Sequence, residues 1–146
     1  MGFFDSLKSL GRTLTGGGAT VHVDIAPATT SAPFKVRVTA RVADADINIS
    51  NVYLLVRGEE VVRIDKNGLV NSIGGNIRDF LADGSLDGIS HRQETADFRL
   101  NISGPATLKA NQEYTFDAEV RLPAGSRPSY NGVNCDHTWS IEAGLD

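Results

Sequence analysis

Asn111–Asp146 reads NQEYTFDAEVRLPAGSRPSYNGVNCDHTWSIEAGLD, and its two alternating runs decide the fold class. In the first run Tyr114, Phe116, Ala118, Val120 and Leu122 point one way. Glu113, Asp117, Glu119 and Arg121 point the other way, with Thr115 between them. Successive side chains of a strand take opposite faces, so strict alternation predicts one dry face and one wet face. The second run, Cys135–Ala143, puts Cys135, His137, Trp139, Ile141 and Ala143 on one side and Asp136, Thr138, Ser140 and Glu142 on the other. We expect a pair of strands joined by a long surface loop of Pro, Gly, Ser and Asn.

The same period runs upstream. Thr20–Ile25 alternates through Val21, Val23 and Ile25. Phe34–Val42 is the cleanest case: Phe34, Val36, Val38, Ala40 and Val42 face in, while Lys35, Arg37, Thr39 and Arg41 face out. Ile47–Gly58 reads as one strand whose phase slips, and a bulge or bend near Ser50-Asn51 accounts for the slip. Glu60–Ile64 reads as a short separate strand, ended by Asp65-Lys66-Asn67-Gly68, with Leu69–Ile73 pairing back as a hairpin. Residues 74–90 break the rhythm and read as an irregular connection with a turn or two of helix. Glu94–Ile102 resumes alternation through Ala96, Phe98, Leu100 and Ile102. Thr107–Lys109 is at most a short strand. About eight strands with polar outer faces predict an all-β domain, two antiparallel sheets packed face to face.

Residues 3–14, FFDSLKSLGRTL, follow a helical period instead. Phe3, Leu7, Leu10 and Leu14 form a stripe that Phe4 widens. So short a helix is marginal alone and needs a surface to lie on. The choices are its own sheet, a partner chain or a membrane interface, and packing on protein is favoured. Thr15–Ala19 is a glycine-rich stop. The expected organisation is therefore an amphipathic helix and linker over 1–18 and a β-sandwich over 19–146.

Composition narrows the function. One domain's worth of chain, 146 residues, carries a net charge of −4, which argues against nucleic acid as a partner. A single cysteine, Cys135, cannot close an internal disulfide, so a reducing, cytoplasmic compartment is expected. No apolar run has the length of a membrane span.

Candidate chemistry is sparse. His22, His91 and His137 fall on different predicted elements. His137 and Cys135 share a face, but tetrahedral zinc needs further ligands, and only His22 is a candidate helper. Asp44-Ala45-Asp46-Ile47-Asn48 mimics the opening of a calcium loop, yet Ile49 and Leu55 stand where glycine and glutamate are required. We expect a strand-entry turn there. No phosphate-binding glycine loop or nucleophile elbow is present in the sequence. We therefore expect no metal, no cofactor and no enzymatic activity. Lys35, Arg37 and Arg41 remain as a basic stripe. Either a neighbouring strand bearing Asp117 and Glu119 neutralises it, or it meets an acidic partner segment.

Several of these segments together suggest a family. Tyr114-Thr115-Phe116, then Val120-Arg121-Leu122-Pro123, a serine-bearing loop and Trp139–Asp146 resemble the end of an arrestin-like N-terminal domain. The pair Phe34–Val42 and Val52–Arg57 is similar to an upstream strand pair of that family. Met1-Gly2-Phe3-Phe4 with its short helix resembles the bacterial sporulation-control branch. The resemblance covers most of residues 20–146. It implies an immunoglobulin-like, arrestin-like sandwich and a cytosolic regulatory role through protein contacts. The family usually carries two tandem sandwiches, so either a single-domain member or a fragment is expected. The charged core by which animal arrestins sense phosphate has no match here. The expected function is a protein-binding scaffold, with Phe3, Phe4, Leu7, Leu10, Lys35, Arg37 and Arg41 as candidate contact residues and self-association through the helix or a sheet edge. The alternative is a structural subunit of a larger assembly, such as a phage or secretion particle.

Overall fold

A computed structural model describes residues 18–65 and 88–146. The predicted N-terminal helix, most of its linker and the Leu69–Ile73 hairpin strand lie outside the described residues. The described residues form nine strands in chain order: β1 (Ala19–Ile25), β2 (Phe34–Val42), β3 (Ile47–Ile49), β4 (Val52–Asp65), β5 (Gly88–Ser103), β6 (Ala106–Leu108), β7 (Glu113–Val120), β8 (Tyr130–Asn131) and β9 (Cys135–Leu145). Among the described residues there is no helix, and so none long and apolar enough to cross a membrane.

The strands pair antiparallel throughout. One sheet runs β1-β2-β7, a larger one runs β5-β4-β9-β8, and β3 with β6 makes a small third ladder. Alternation places the apolar set of each sheet on one face. Val21, Val23, Phe34, Val36, Val38, Ala40, Val42 and Val120 of the first sheet are buried, as are Val52, Leu54, Val56, Trp139, Ile141, Ala143 and Leu145 of the second. All belong to one core, which Ile49 and Leu108 of the small ladder extend. Burying each large aliphatic side chain contributes about 1.5–3 kcal/mol.

Two sequence expectations change. The run Ile47–Gly58 is not one strand with a bulge. It breaks at Ser50-Asn51, and β3 and β4 join different ladders. The break is held by backbone bonds: Ser50 N donates to Asp146 O at 2.7 Å and Asp146 N to Asn51 O at 2.9 Å. Glu60–Ile64 is not a separate strand but the far half of β4, and β5 starts at Gly88, within the stretch expected to be irregular. Polar Glu59 and Glu60 hid this continuity, because they follow a change of register at Gly58/Glu59.

The two runs of the last third are not ladder partners. β7 pairs with β2, and β9 pairs with β4 in the opposite sheet. The loop between them therefore crosses from one sheet to the other.

Gly58 marks a close approach. A Cβ there would lie 2.6 Å from Thr95 Oγ1 and 3.0 Å from the Trp139 ring. We expect Gly58→Ala to destabilise the domain by about 1–3 kcal/mol through overpacking. Leu54→Ala, at a position with no exposure, is expected to lose about 2–5 kcal/mol. Urea unfolding of the two variants beside the wild type measures both.

Candidate functional site

Three surfaces carry the polar and uncovered groups. The first is the outer face of β1-β2-β7. Register sets Lys35 opposite Glu119, Arg37 opposite Asp117 and Arg41 opposite Glu113. Arg37 Nε donates to Asp117 Oδ1 at 2.8 Å, and Arg41 Nη2 to Glu113 Oε2 at 3.0 Å. The Arg37 guanidinium holds Asp117 below the usual carboxylate range, by its hydrogen bond first and less by its charge. Both pairs are well exposed, so solvent screening leaves each with little net stabilisation. Their larger effect is on register, since a slip of two residues leaves one opposite-charge pair where the native register has three. Lys35 and Arg37 also line a groove of about 650 Å³ with Asp24, Asp117 and Glu119. The basic stripe is thus answered by carboxylates within its own sheet. Phe3, Phe4, Leu7 and Leu10 lie outside the described residues.

The calcium-like stretch has a structural use. Asp46 Oδ2 accepts from Lys109 Nζ and Oδ1 from the Ala110 amide, each at 2.8 Å. These bonds hold Asp46 below the usual carboxylate range. They tie β3 to the β6–β7 turn, where Asn111 takes a φ of 58°, a conformation asparagine tolerates.

The second surface is a cleft of about 360 Å³ floored by His137 and Trp139 and roofed by residues 123–127. Trp139 pins that roof: its Nε1 donates to Arg127 O at 2.7 Å and its backbone N to Ser129 Oγ at 3.2 Å. His137 is 1% exposed. Its Nε2 is 2.8 Å from Thr95 Oγ1, and its Nδ1 has no partner among the described residues. The ring stacks on Tyr130 and meets Trp139 edge-on. Tyr130 Oη donates to Glu60 Oε2 at 3.1 Å, which also accepts from Arg127 Nη1 at 2.8 Å. The contact with Cys135 first, then desolvation and the bond to Glu60, push the Tyr130 phenol up to about 12. The hydroxyls here are committed: Ser126 Oγ donates to Pro123 O, and Ser129 Oγ accepts from Trp139. His137 thus serves as a buried packing group. His22 sits on the outer face of the other sheet, bonded to Asp24 at 3.1 Å, and does not join Cys135 and His137. Among the described residues no group of three or more His, Cys, Asp or Glu side chains converges as metal ligands.

The third surface went unnoticed in the sequence. β5 and β7 are both terminal strands of their sheets, and neither is paired on its outer side among the described residues. Their inward side chains are only half-buried: Ala96, Phe98, Leu100 and Ile102 on β5, and Tyr114, Phe116 and Ala118 on β7. Equivalent positions on β2 and β4 are fully buried. A groove of about 600 Å³ lies along this open side, between Thr95–Phe98 and Arg121–Ala124. Alternation predicted that these residues face inward, but nothing local says which strand ends a sheet.

The Arg37–Asp117 pair gives a pH dependence. Asp117 is depressed in the fold, so its contribution is complete above the ordinary carboxylate range and is lost as pH falls through the depressed value. In an NMR titration Arg37→Ala is expected to move the Asp117 midpoint upward, and an unchanged midpoint would show that the pair does not form in solution.

No family model and no curated protein matches this chain. Among solved structures, the fold is similar to Spo0M, a sporulation control protein from Bacillus subtilis, with a TM-score of 0.52 and 13% sequence identity. The match covers 88% of this chain and 48% of that one, so the chain spans about half the length of the protein it resembles. At this identity the likeness is one of fold: an all-β chain of antiparallel sheets, arranged as in Spo0M.

Proposed function

We propose that this chain is a non-enzymatic, protein-binding domain with a scaffold-like regulatory role, working by contact of sheet edge and loop rather than by chemistry. The observation that carries this reading is the open side between β5 and β7, where two strand edges unpaired among the described residues flank half-buried aromatics. Exposed edges accept added strands, and a natural domain that keeps one open commonly uses it or guards it. In the His137 cleft the Ser126 hydroxyl is held by Pro123 O and the imidazole is buried, which supports binding over chemistry. Likeness of fold to a sporulation control protein supports a role in bacterial regulation, and the single cysteine, Cys135, supports a cytoplasmic setting. Phe3, Phe4, Leu7 and Leu10 supply a second contact, for a partner or for a second copy.

Size-exclusion chromatography with light scattering across a concentration series tests the proposal. A monomer or dimer is expected, and deletion of residues 1–14 is expected to weaken any dimer. A large closed particle at modest concentration would replace the scaffold reading with that of a structural assembly subunit.

A further inference from the structure

One long side of the sandwich is closed and the other is open. β1 lies against β9, and its Val21 and Val23 are buried. β5 lies against β7, yet Phe98, Leu100, Ile102, Tyr114 and Phe116 stay half-buried. The apolar strip from Ala96 to Ile102 is about 20 Å long at the rise of a strand. Natural sheets commonly shield an open edge of this kind with a helix or a loop.

The described residues begin within reach of that strip. Ala43 N donates to Gly18 O, and Val42 N to Gln112 O, each at 2.9 Å. Gly18 thus stands at the same end of its sheet as Glu113 and Tyr114. From β1 to β7 is two strand spacings, about 10 Å. Thr15–Gly17 also spans about 10 Å when extended. A helix over residues 3–14 is about 18 Å long, close to the length of the strip. The groove of about 600 Å³ sets Thr95–Phe98 beside Arg121–Ala124, so Ile102 lies toward the Tyr114 end. The tether then fixes direction. Leu14 falls near Ile102 and Tyr114, and Phe3 and Phe4 reach the groove. Asp5, Ser9 and Arg12, off the stripe, face water.

Other occupants are less well placed. Residues 66–87 leave the sheet at Asp65 and rejoin it at Gly88, about 33 Å along β5 from Phe98. A second copy or a different protein must compete with a tethered segment, whose short flexible linker sets an effective concentration on the order of millimolar.

We propose that residues 3–14 pack as a helix along the β5–β7 seam of their own molecule and guard it. A partner that uses the seam must displace this helix, and displacement frees Phe3, Phe4, Leu7 and Leu10 as the second contact. Exchange of the helix between two copies seats the same side chains in trans, so its deletion also weakens a dimer. This inference rests on the binding-domain reading and adds a means of regulating it.

The test uses the intact, isotope-labelled chain, diluted until light scattering finds a monomer. Nuclear Overhauser contacts are expected from the Leu7 and Leu10 methyls to the Phe98 and Phe116 rings. Amide exchange across residues 96–102 and 114–118 is expected to be roughly tenfold slower than in a chain lacking residues 1–14. The full-length double variant Leu7→Asp/Leu10→Asp is expected to match the deletion, and Asp5→Ala, off the stripe, to match the wild type. Absence of the ring contacts, or equal exchange in the intact chain and the double variant, overturns the inference. So do ring contacts found only between differently labelled copies, which assign the seat to a second copy. If the contacts fail while light scattering finds a monomer or dimer, the guard is wrong and the binding-domain reading stands. A large closed particle removes both.

Discussion

The structure depends on β4. This strand is bonded on both sides, to β5 along its whole length and to β9 from Val52 to Val62. Its inner face, Val52, Leu54 and Val56, has no exposure and meets the inner face of the β1-β2-β7 sheet. Once those residues are buried, period two dictates where every neighbour points. Trp139, Ile141 and Ala143 of β9 join the core, and Arg57 and Leu55 turn outward. A fully paired central strand also satisfies its backbone polar groups, which a dry interior requires.

Charge then works at the margins of that core. On the first sheet, Arg37–Asp117 and Arg41–Glu113 add little energy but pin the register that alternation leaves open to slips of two residues. On the second, Arg57–Asp97 and Arg92–Glu59 join β4 to β5 in the same way, and Arg99 meets Asp146.

The cleft at His137 illustrates packing that imitates chemistry. A histidine, a cysteine, a tyrosine and a glutamate lie together on β4, β8 and β9 because Glu60, His137 and Tyr130 are register partners. Trp139 needs Gly58 beneath it and the Arg127 carbonyl beside it. Ser126 Oγ donates to the loop carbonyl of Pro123, Ser129 Oγ accepts from the β9 amide of Trp139, and the imidazole is enclosed.

The sequence by itself determined the class of fold and the inward set. Phe34–Val42 was read with its observed bounds and its buried face, and His137 was placed on the dry side of its strand, because side-chain alternation is a local property of extended backbone. Pairing is not local. That Ile47–Ile49 and Val52–Asp65 join different ladders, that β7 and β9 belong to opposite sheets, and that Arg37 and Arg41 bond carboxylates 80 and 72 residues away in sequence are decided only when distant segments choose partners. The same holds for the open seam: Phe98 and Phe116 carry the alternation of any core residue, and only the order of strands makes them the edge of the core instead of its centre.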